Sequence, residues 1–479
     1  MLPKKEHLMS DQKRLVVIGG VAAGMSAAAK VRRTNSSIDV TVFERGSYVS
    51  YGACGLPWFI CGRIPGHEDL TRTPEDFYKS VCGKMPDENK LIARTPEKFN
   101  KMGINLHIRH EIMSIASDSQ RVRVKNLDSG AGFDQAYDVL LIGTGASAIR
   151  PPIPGIDLKG VFQLKMLDDG LALRDYVETY HPKRAVIVGG GYIGLEMLDC
   201  FKCMGVDTVV VDIAPRVLMK TFDEDMVAIV NEELVRQGVT LSVSDGVKAF
   251  EGDGSVRFVV TEHNRFPADV VILALGVRPN VELAREAGIV IGGTGAIAID
   301  DHMRTSVSNV YSAGDCAEVR HLVTGRPAYI PLRSTANKQG RTAGSNIAGR
   351  DVAFGGVVGT AVSKILDLEV ARTGLTEEEA RLLGYDATGT MIKSRSSAHY
   401  YPGGSPLWVK LIYEADSLRL LGGQIIGEQG AAKRIDVLAT ALHQRMTVDD
   451  IRALDLSYAP PFSPVWDPIL VAANVAVKE

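Results

Sequence analysis

The sequence predicts an α/β protein with two Rossmann-like nucleotide-binding domains followed by a C-terminal α+β domain. Three observations predict it. The apolar run Leu15–Ile18 leads into Gly19-Gly20-Val21-Ala22-Ala23-Gly24, and Ala185–Val188 leads into Gly189-Gly190-Gly191-Tyr192-Ile193-Gly194. Each turn precedes a helical stretch and a second apolar strand ending on a carboxylate, Glu44 or Asp212. Beyond about residue 350 the glycine turns cease, and strand patterns alternate with a helix at 377–383.

The totals limit the function classes. At 479 residues the chain is too long for one core. A net charge of −3 provides no field for binding nucleic acid. No run reaches the roughly 18 apolar residues of a membrane helix. Six cysteines, at 54, 61, 82, 200, 203 and 316, make no disulfide framework in a chain this long, and predict a reducing, cytoplasmic setting. Met1–Arg14 is polar, lacks the apolar core of a signal peptide, and is expected to be a disordered leader with Met9 as a second candidate start.

The first domain is expected over 13–149, resuming at 280–349. Gly19 makes a tight turn, Gly24 lets helix 25–33 pack closely on the strand, and the helix start suits a pyrophosphate. Strand 40–43 runs into Glu44, placed for ribose hydroxyls, with Arg45 beside it. Val21 stands where the middle glycine of the fingerprint would be. Lys30, Arg32 and Arg33 close the helix. They either offset its dipole or form a phosphate-binding patch.

Ser50-Tyr51-Gly52-Ala53-Cys54-Gly55-Leu56-Pro57-Trp58 carries the candidate nucleophile, Cys54. The small residues 52, 53 and 55 admit a flat ring against the backbone. Pro57 suits the first turn of a helix, and a thiol at such a start is drawn toward thiolate, with pKa values as low as roughly 3.5–7.5. The alternative is a small buried apolar residue. Thr73-Pro74-Glu75 and Thr95-Pro96-Glu97 read as two similar helix starts around an inserted loop at 81–89, with no function assigned. Strands follow at 104–108, 121–124 and 139–142, the last ending in Gly143-Thr144-Gly145, a second close backbone approach.

Pro151, Pro152 and Pro154 mark the start of a second domain, 150–279. Its glycine turn is a full G-x-G-x-x-G between strand and helix. Asp212 prefers the free 2′-hydroxyl of NAD, while Arg216 keeps NADP open. Cys200 and Cys203 share the following helix and read as packing, since a zinc site lacks two further ligands. Strand 270–275 closes the domain at Gly276. Beyond it, Val310–Ser312 leads to Gly314-Asp315, where a carboxylate lies beside a bound polyol or phosphate, or serves an ordinary turn. In the last domain, 350–479, His399-Tyr400-Tyr401-Pro402-Gly403-Gly404 and Tyr458–Pro468 are aromatic and rich in turn residues. Prolines 460, 461, 464 and 468 exclude a regular helix there. Such a surface suits an interface or a contact within one chain.

Two dinucleotide turns, a carboxylate after each, a Gly-Asp strand end and one cysteine near the first turn fit a flavoprotein with FAD in the first unit and NAD in the second. Hydride would pass from nicotinamide to flavin, and electrons onward to a sulfur acceptor at Cys54.

Over nearly its full length the chain resembles the single-cysteine branch of the pyridine nucleotide–disulfide oxidoreductases, which have a glutathione-reductase-like fold. Within it, the chain is most similar to coenzyme A-disulfide reductases and the related NAD(P)H-dependent sulfur, polysulfide and CoA-persulfide reductases. The motifs are Tyr51–Pro57, Gly189–Glu196, Ser312–Asp315, Tyr400–Gly403 and Tyr458–Phe462. The resemblance implies a mixed disulfide between Cys54 and CoA, with Lys30, Arg33, Ser50, Arg94 and Lys98 holding CoA. It implies that Tyr192 gates the nicotinamide pocket with Glu196 behind it, and that Gly143, Thr144, Gly145, Gly276, Gly314 and Asp315 border the cofactors. Tyr458, with Tyr400 or Tyr401, would reach into the partner's site of a homodimer. NADH is the expected reductant, with NADPH open.

Departures refine the expectation. Dithiol relatives carry a second cysteine where this chain has Phe59, so Cys54 lacks that partner and Cys61 reads as packing. Peroxidases and oxidases of the branch place a histidine in the first glycine loop, where this chain has Val21, Ala22 and Ala23. Some relatives append a rhodanese domain; here any sulfur-transfer partner is expected to be a separate protein. Two other readings remain: an NADH oxidase cycling Cys54 through sulfenic acid, and a flavin-containing redox sensor or interaction protein without turnover.

Overall fold

The computed structural model describes residues 12–63 and 91–477. Its first sheet has five parallel strands in the order Val310–Ser312, Val139–Ile142, Arg14–Ile18, Asp39–Glu44, Ile104–Ile108. Helices Ala23–Thr34 and Arg333–Ile347 cross against one another beside it. They pack so tightly that a Cβ on Gly340 would lie 2.3 Å from the Ala23 carbonyl oxygen, and one on Gly344 would lie 2.6 Å from that of Ala27. The central strands are buried on both faces, which is why they read as unbroken apolar runs rather than alternating ones.

The second sheet repeats the plan. Its order is Thr240–Ser242, Asp207–Val211, Arg184–Val188, Val270–Leu273, Val161–Gln163, again all parallel. Each nucleotide sheet is accompanied by a three-stranded antiparallel one: His110–Ala116, Arg121–Asn126 and Gly132–Ala136 in the first case, Val247–Asp253, Ser255–Thr261 and Arg265–Pro267 in the second. Strands Ala146–Ala148 and Val277–Pro279 pair where the chain crosses between the two.

The C-terminal sheet is antiparallel, ordered Ala361–Ile365, Leu368–Gly374, Leu420–Gly427, Pro406–Glu414, Ala387–Arg395. Its core joins Leu407, Val409, Leu411 and Ile425 to Leu438 and Ile469 of the covering helices Ala431–His443 and Pro468–Ala476. The proline-rich stretch stays non-helical up to Asp467, whose carboxylate caps the Ile469 amide at 3.0 Å. Pro468 then sits in the first turn, where no N–H is needed. Helix Glu377–Leu382 starts at Thr376, whose hydroxyl accepts from the Glu379 amide at 3.0 Å in a capping box.

Of the two Thr-Pro-Glu starts, the second opens helix Pro96–Lys101. The first, the loop at 81–89, Cys82 and the leader before residue 12 lie outside the described residues. Among the described residues no helix is long and apolar enough to cross a membrane. No group of three or more His, Cys, Asp and Glu residues there is arranged to hold a metal ion.

Candidate active site between the two nucleotide folds

The two glycine turns are superposable in their contacts. Gly19 has φ +99° and Gly189 φ +109°, a region closed to most side chains. A Cβ on Gly24 would lie 1.8 Å from the Gly19 carbonyl oxygen; one on Gly194 would lie 2.0 Å from that of Gly189. The carboxylate of Glu44 accepts from the amides of Gly20 (2.6 Å) and Gly46 (2.7 Å). That of Asp212 accepts from Gly190 (2.7 Å) and Ala214 (2.8 Å). Each turn thus holds a negative charge at the end of its second strand. A Cβ on Gly191 would meet nothing within 4 Å, whereas Val21 takes the matching place in the first turn.

The cysteine loop is pinned from three sides. The Ser50 amide donates to the Gly20 carbonyl (3.0 Å), while the Gly52 amide donates to Leu91 and the Ala93 amide to Ser50. Ser50 adopts φ +50° to make this bend. The Arg333 guanidinium donates to the Tyr51 carbonyl at 2.5 Å. Cys54 lies exposed in a 3₁₀ turn, Ala53–Gly55, that runs directly into helix Leu56–Ile60, with Pro57 in its first turn. Cys61, at the far end, contacts Cys200 and Cys203. The hydrogen bond with Cys200 and, more weakly, burial push its thiol up to about 12, so it is a protonated packing group.

One cavity of about 1490 Å³ joins these parts. It is bordered by Gly19, Glu44 and Arg45 of the first turn, by Cys54, and by Gly143, Thr144, Gly145, Gly276, Gly314 and Asp315. It continues to Gly191, Tyr192 and Glu196 of the second turn. Gly24, Gly189, Gly194 and Asp212 support the turns from behind rather than lining it. Burial pushes the Tyr192 phenol up to about 12 and raises Glu196, whose carboxylate accepts from Ser363 at 2.9 Å.

Several lining residues carried no sequence signal. Lys165 pairs with Asp315 at 2.9 Å across 150 residues of chain. His321 is buried, with Nδ1 lacking a hydrogen-bond partner among the described residues; burial and then Arg372 push it down to about 4. Arg333 opens the helix that carries Gly340 and Gly344, a small-residue spacing that could have identified this close-packed element.

The chain does not bring every candidate to the cavity. Lys30, Arg33, Ser50, Arg94 and Lys98 do not line it; Arg33, Arg94 and Lys98 are exposed. Arg32 is separated from this set because its guanidinium donates to the carbonyls of Met102, Ser36 and Ile38 and holds the end of its helix. Tyr400, Tyr401 and Tyr458 are exposed and absent from the cavity wall.

The fold and site define a class that sequence comparison establishes. Residues 13–340 match the pyridine nucleotide-disulphide oxidoreductase family, and residues 360–468 match its dimerisation domain. The chain belongs to that family. Among curated relatives it is 42% identical over 469 residues to an NAD(P)H sulfur oxidoreductase (CoA-dependent) of Pyrococcus abyssi, covering 98% of this chain and 99% of that one. Among solved structures, a NAD-dependent persulfide reductase from A. fulgidus is 37% identical with a TM-score of 0.89, covering 97% of this chain and 83% of that one. A Bacillus anthracis CoADR-RHD structure is 34% identical with a TM-score of 0.90, covering 98% and 80%.

Proposed function

We propose that this chain is an FAD-dependent NAD(P)H oxidoreductase that reduces CoA disulfide, CoA persulfide or polysulfide through Cys54. The observation that carries this is the single cavity bordered by both nucleotide turns and by Cys54. Residues 13–149 and 280–349 form the FAD part, 150–279 the nicotinamide part and 350–479 the subunit contact. Strand Val310–Ser312 supports that division, because it pairs with Val139–Ile142 in the first sheet.

The residues present fit FAD. Gly19 and Gly143 line the cavity at the first turn, Gly24 packs its helix against that turn too closely for any Cβ, Glu44 is poised at the strand end, and Asp315 lies in the cavity wall. The Tyr329 hydroxyl is buried in that wall without a partner among the described residues. When bound, the flavin supplies a route for an electron pair from nicotinamide to sulfur. The protein's part is exchange chemistry. The Cys54 thiolate attacks one sulfur of the substrate, the S–S bond breaks, and the departing half takes a proton. The electron pair from NAD(P)H then breaks the mixed disulfide, releasing the second half as a thiol and restoring Cys54. For CoA persulfide the products are CoA and sulfide.

Lys30, Arg33, Ser50, Arg94 and Lys98, none of which lines the cavity, would grip CoA. Tyr458 with Tyr400 or Tyr401 would complete the site of the second subunit in a homodimer. A cytoplasmic setting is supported by five described cysteines with no disulfide among them. The oxidase reading has no histidine in the first glycine loop to support it.

The test is anaerobic: NADH with CoA disulfide, CoA persulfide and polysulfide, with mass spectrometry of Cys54. Sulfur reduction lost in Cys54→Ser, and a CoA adduct on Cys54, are expected. Undiminished reduction by Cys54→Ser ends the proposal.

A further inference from the structure

We infer that this chain selects NADH over NADPH by withholding a cation: Arg216 is bound by Glu378 of the C-terminal domain and so is kept from a 2′-phosphate. The inference rests on the reading above only in that the second glycine turn binds a nicotinamide dinucleotide.

The loop after strand Asp207–Val211 folds back over the glycine turn. The Leu218 amide donates to the Gly190 carbonyl (2.9 Å), and Val217 is fully buried against Gly190. Asp212, at the ribose position, has a second carboxylate next to it in the fold. The Asp245 amide donates to the Asp212 carbonyl, and the Asp245 side chain is buried just behind. Burial alone would raise that carboxyl, yet hydrogen bonds from Asn264, Ser242 and Thr261 hold it well below the usual carboxylate range. A 2′-phosphate brought to Asp212 therefore meets like charge.

The loop's own cation is Arg216. Its guanidinium pairs with Glu378 of the C-terminal domain at 2.8 Å, the arginine side chain 17% exposed and the glutamate 54%. The backbone that carries Glu378 is held, since the amides of Glu377 and Glu378 donate to Asp223 at 3.0 and 3.4 Å. The next cation, Lys220, lines the cavity beside Tyr192 and Thr221. A distant domain thus sets the charge offered to the adenosine end of the nucleotide.

The test uses flavin-loaded protein without any sulfur acceptor. Two readouts are taken: the rate of flavin bleaching by NADH and by NADPH, and calorimetric binding of 5′-AMP against 2′-AMP. The intact protein should favour NADH by about tenfold, as expected of a carboxylate at the ribose. Glu378→Gln should raise the NADPH rate and 2′-AMP affinity by about threefold, the scale of one partly exposed charge pair, with the NADH rate unchanged. Arg216→Leu alone should leave the NADPH rate where it was, and added to Glu378→Gln should remove the gain. Equal rates with both nucleotides, an unchanged preference in Glu378→Gln, or a fall in NADPH rate in Arg216→Leu would overturn the inference. If Glu378→Gln fails to fold, Arg216→Leu still decides the point. Failure of both nucleotides to bleach the flavin refutes the proposed function instead.

Discussion

The hydroxyls of Tyr400 and Tyr458 lie 2.8 Å apart, although 58 residues separate them in the chain. The Ala398 amide, donating to the Pro460 carbonyl, joins the two segments that carry them. The hydrogen bond with Tyr400, and less so burial, raises the Tyr458 phenol above its usual 10, so Tyr458 remains a proton donor further into alkaline solution. Tyr458→Phe should slow sulfur reduction about 100-fold, the lower range for a positioned proton donor, while flavin bleaching by NADH is unchanged. Tyr400→Phe should lower the Tyr458 pKa and move the alkaline limb of the sulfur-reduction profile to lower pH. Stopped-flow traces with and without the sulfur acceptor separate the two steps.

The segment after Tyr458 also carries Phe462 at 77% and Trp466 at 59% exposure, large apolar side chains that an interface would cover. Phe462→Glu with Trp466→Glu should shift the protein from dimer to monomer in sedimentation. If the second subunit supplies tyrosines to each site as proposed, the monomer should bleach with NADH and lose sulfur turnover.

Gly191 and Gly194 separate binding from folding. Gly194→Ala drives a Cβ to 2.0 Å from the Gly189 carbonyl oxygen, and should cost about 1–3 kcal/mol of stability. Gly191 has φ −81° and open space where a Cβ would go, so Gly191→Ala should leave the melting temperature unchanged. Its methyl group occupies the approach to the nucleotide, and KM for NADH should rise about tenfold. Thermal melts alongside NADH titrations decide it.

Lys410 is a buried cation among three carboxylates: Asp225 at 2.8 Å, Glu377 at 2.9 Å and Asp223 at 3.3 Å. Burial alone would lower its pKa, but Asp225, Asp223 and Glu377 raise it above 10.5. A raised folded-state pKa means the stabilisation is complete below the unfolded value of about 10.4 and is lost as pH climbs through the folded one. Lys410→Met should cost about 3–5 kcal/mol at neutral pH, because the carboxylates are left uncompensated. Denaturant melts should show this deficit at pH 7 and a narrowing gap to wild type above about pH 10.4.

Much of the architecture was legible because glycine turns and strand-end carboxylates are local devices. Gly19 and Gly189 need positive φ, Gly24 and Gly194 need the absence of a Cβ, and Glu44 and Asp212 sit at fixed offsets from them. These constraints act within one strand–turn–helix–strand unit, so the chain order alone displays them. Cys54 was legible for the same reason, standing between small residues ahead of a proline-led helix.

By itself, then, the sequence determined the two nucleotide folds, the thiol and the aromatic C-terminal face. Only the tertiary structure decided which charges are spoken for. Arg32 holds a helix end while its neighbour Arg33 is exposed; Lys165 finds Asp315; Arg333 finds Tyr51; and Arg216 is drawn away to Glu378. Such pairs join residues that are remote in sequence, and an ion pair or a single hydrogen bond leaves no periodic trace in the segments it connects.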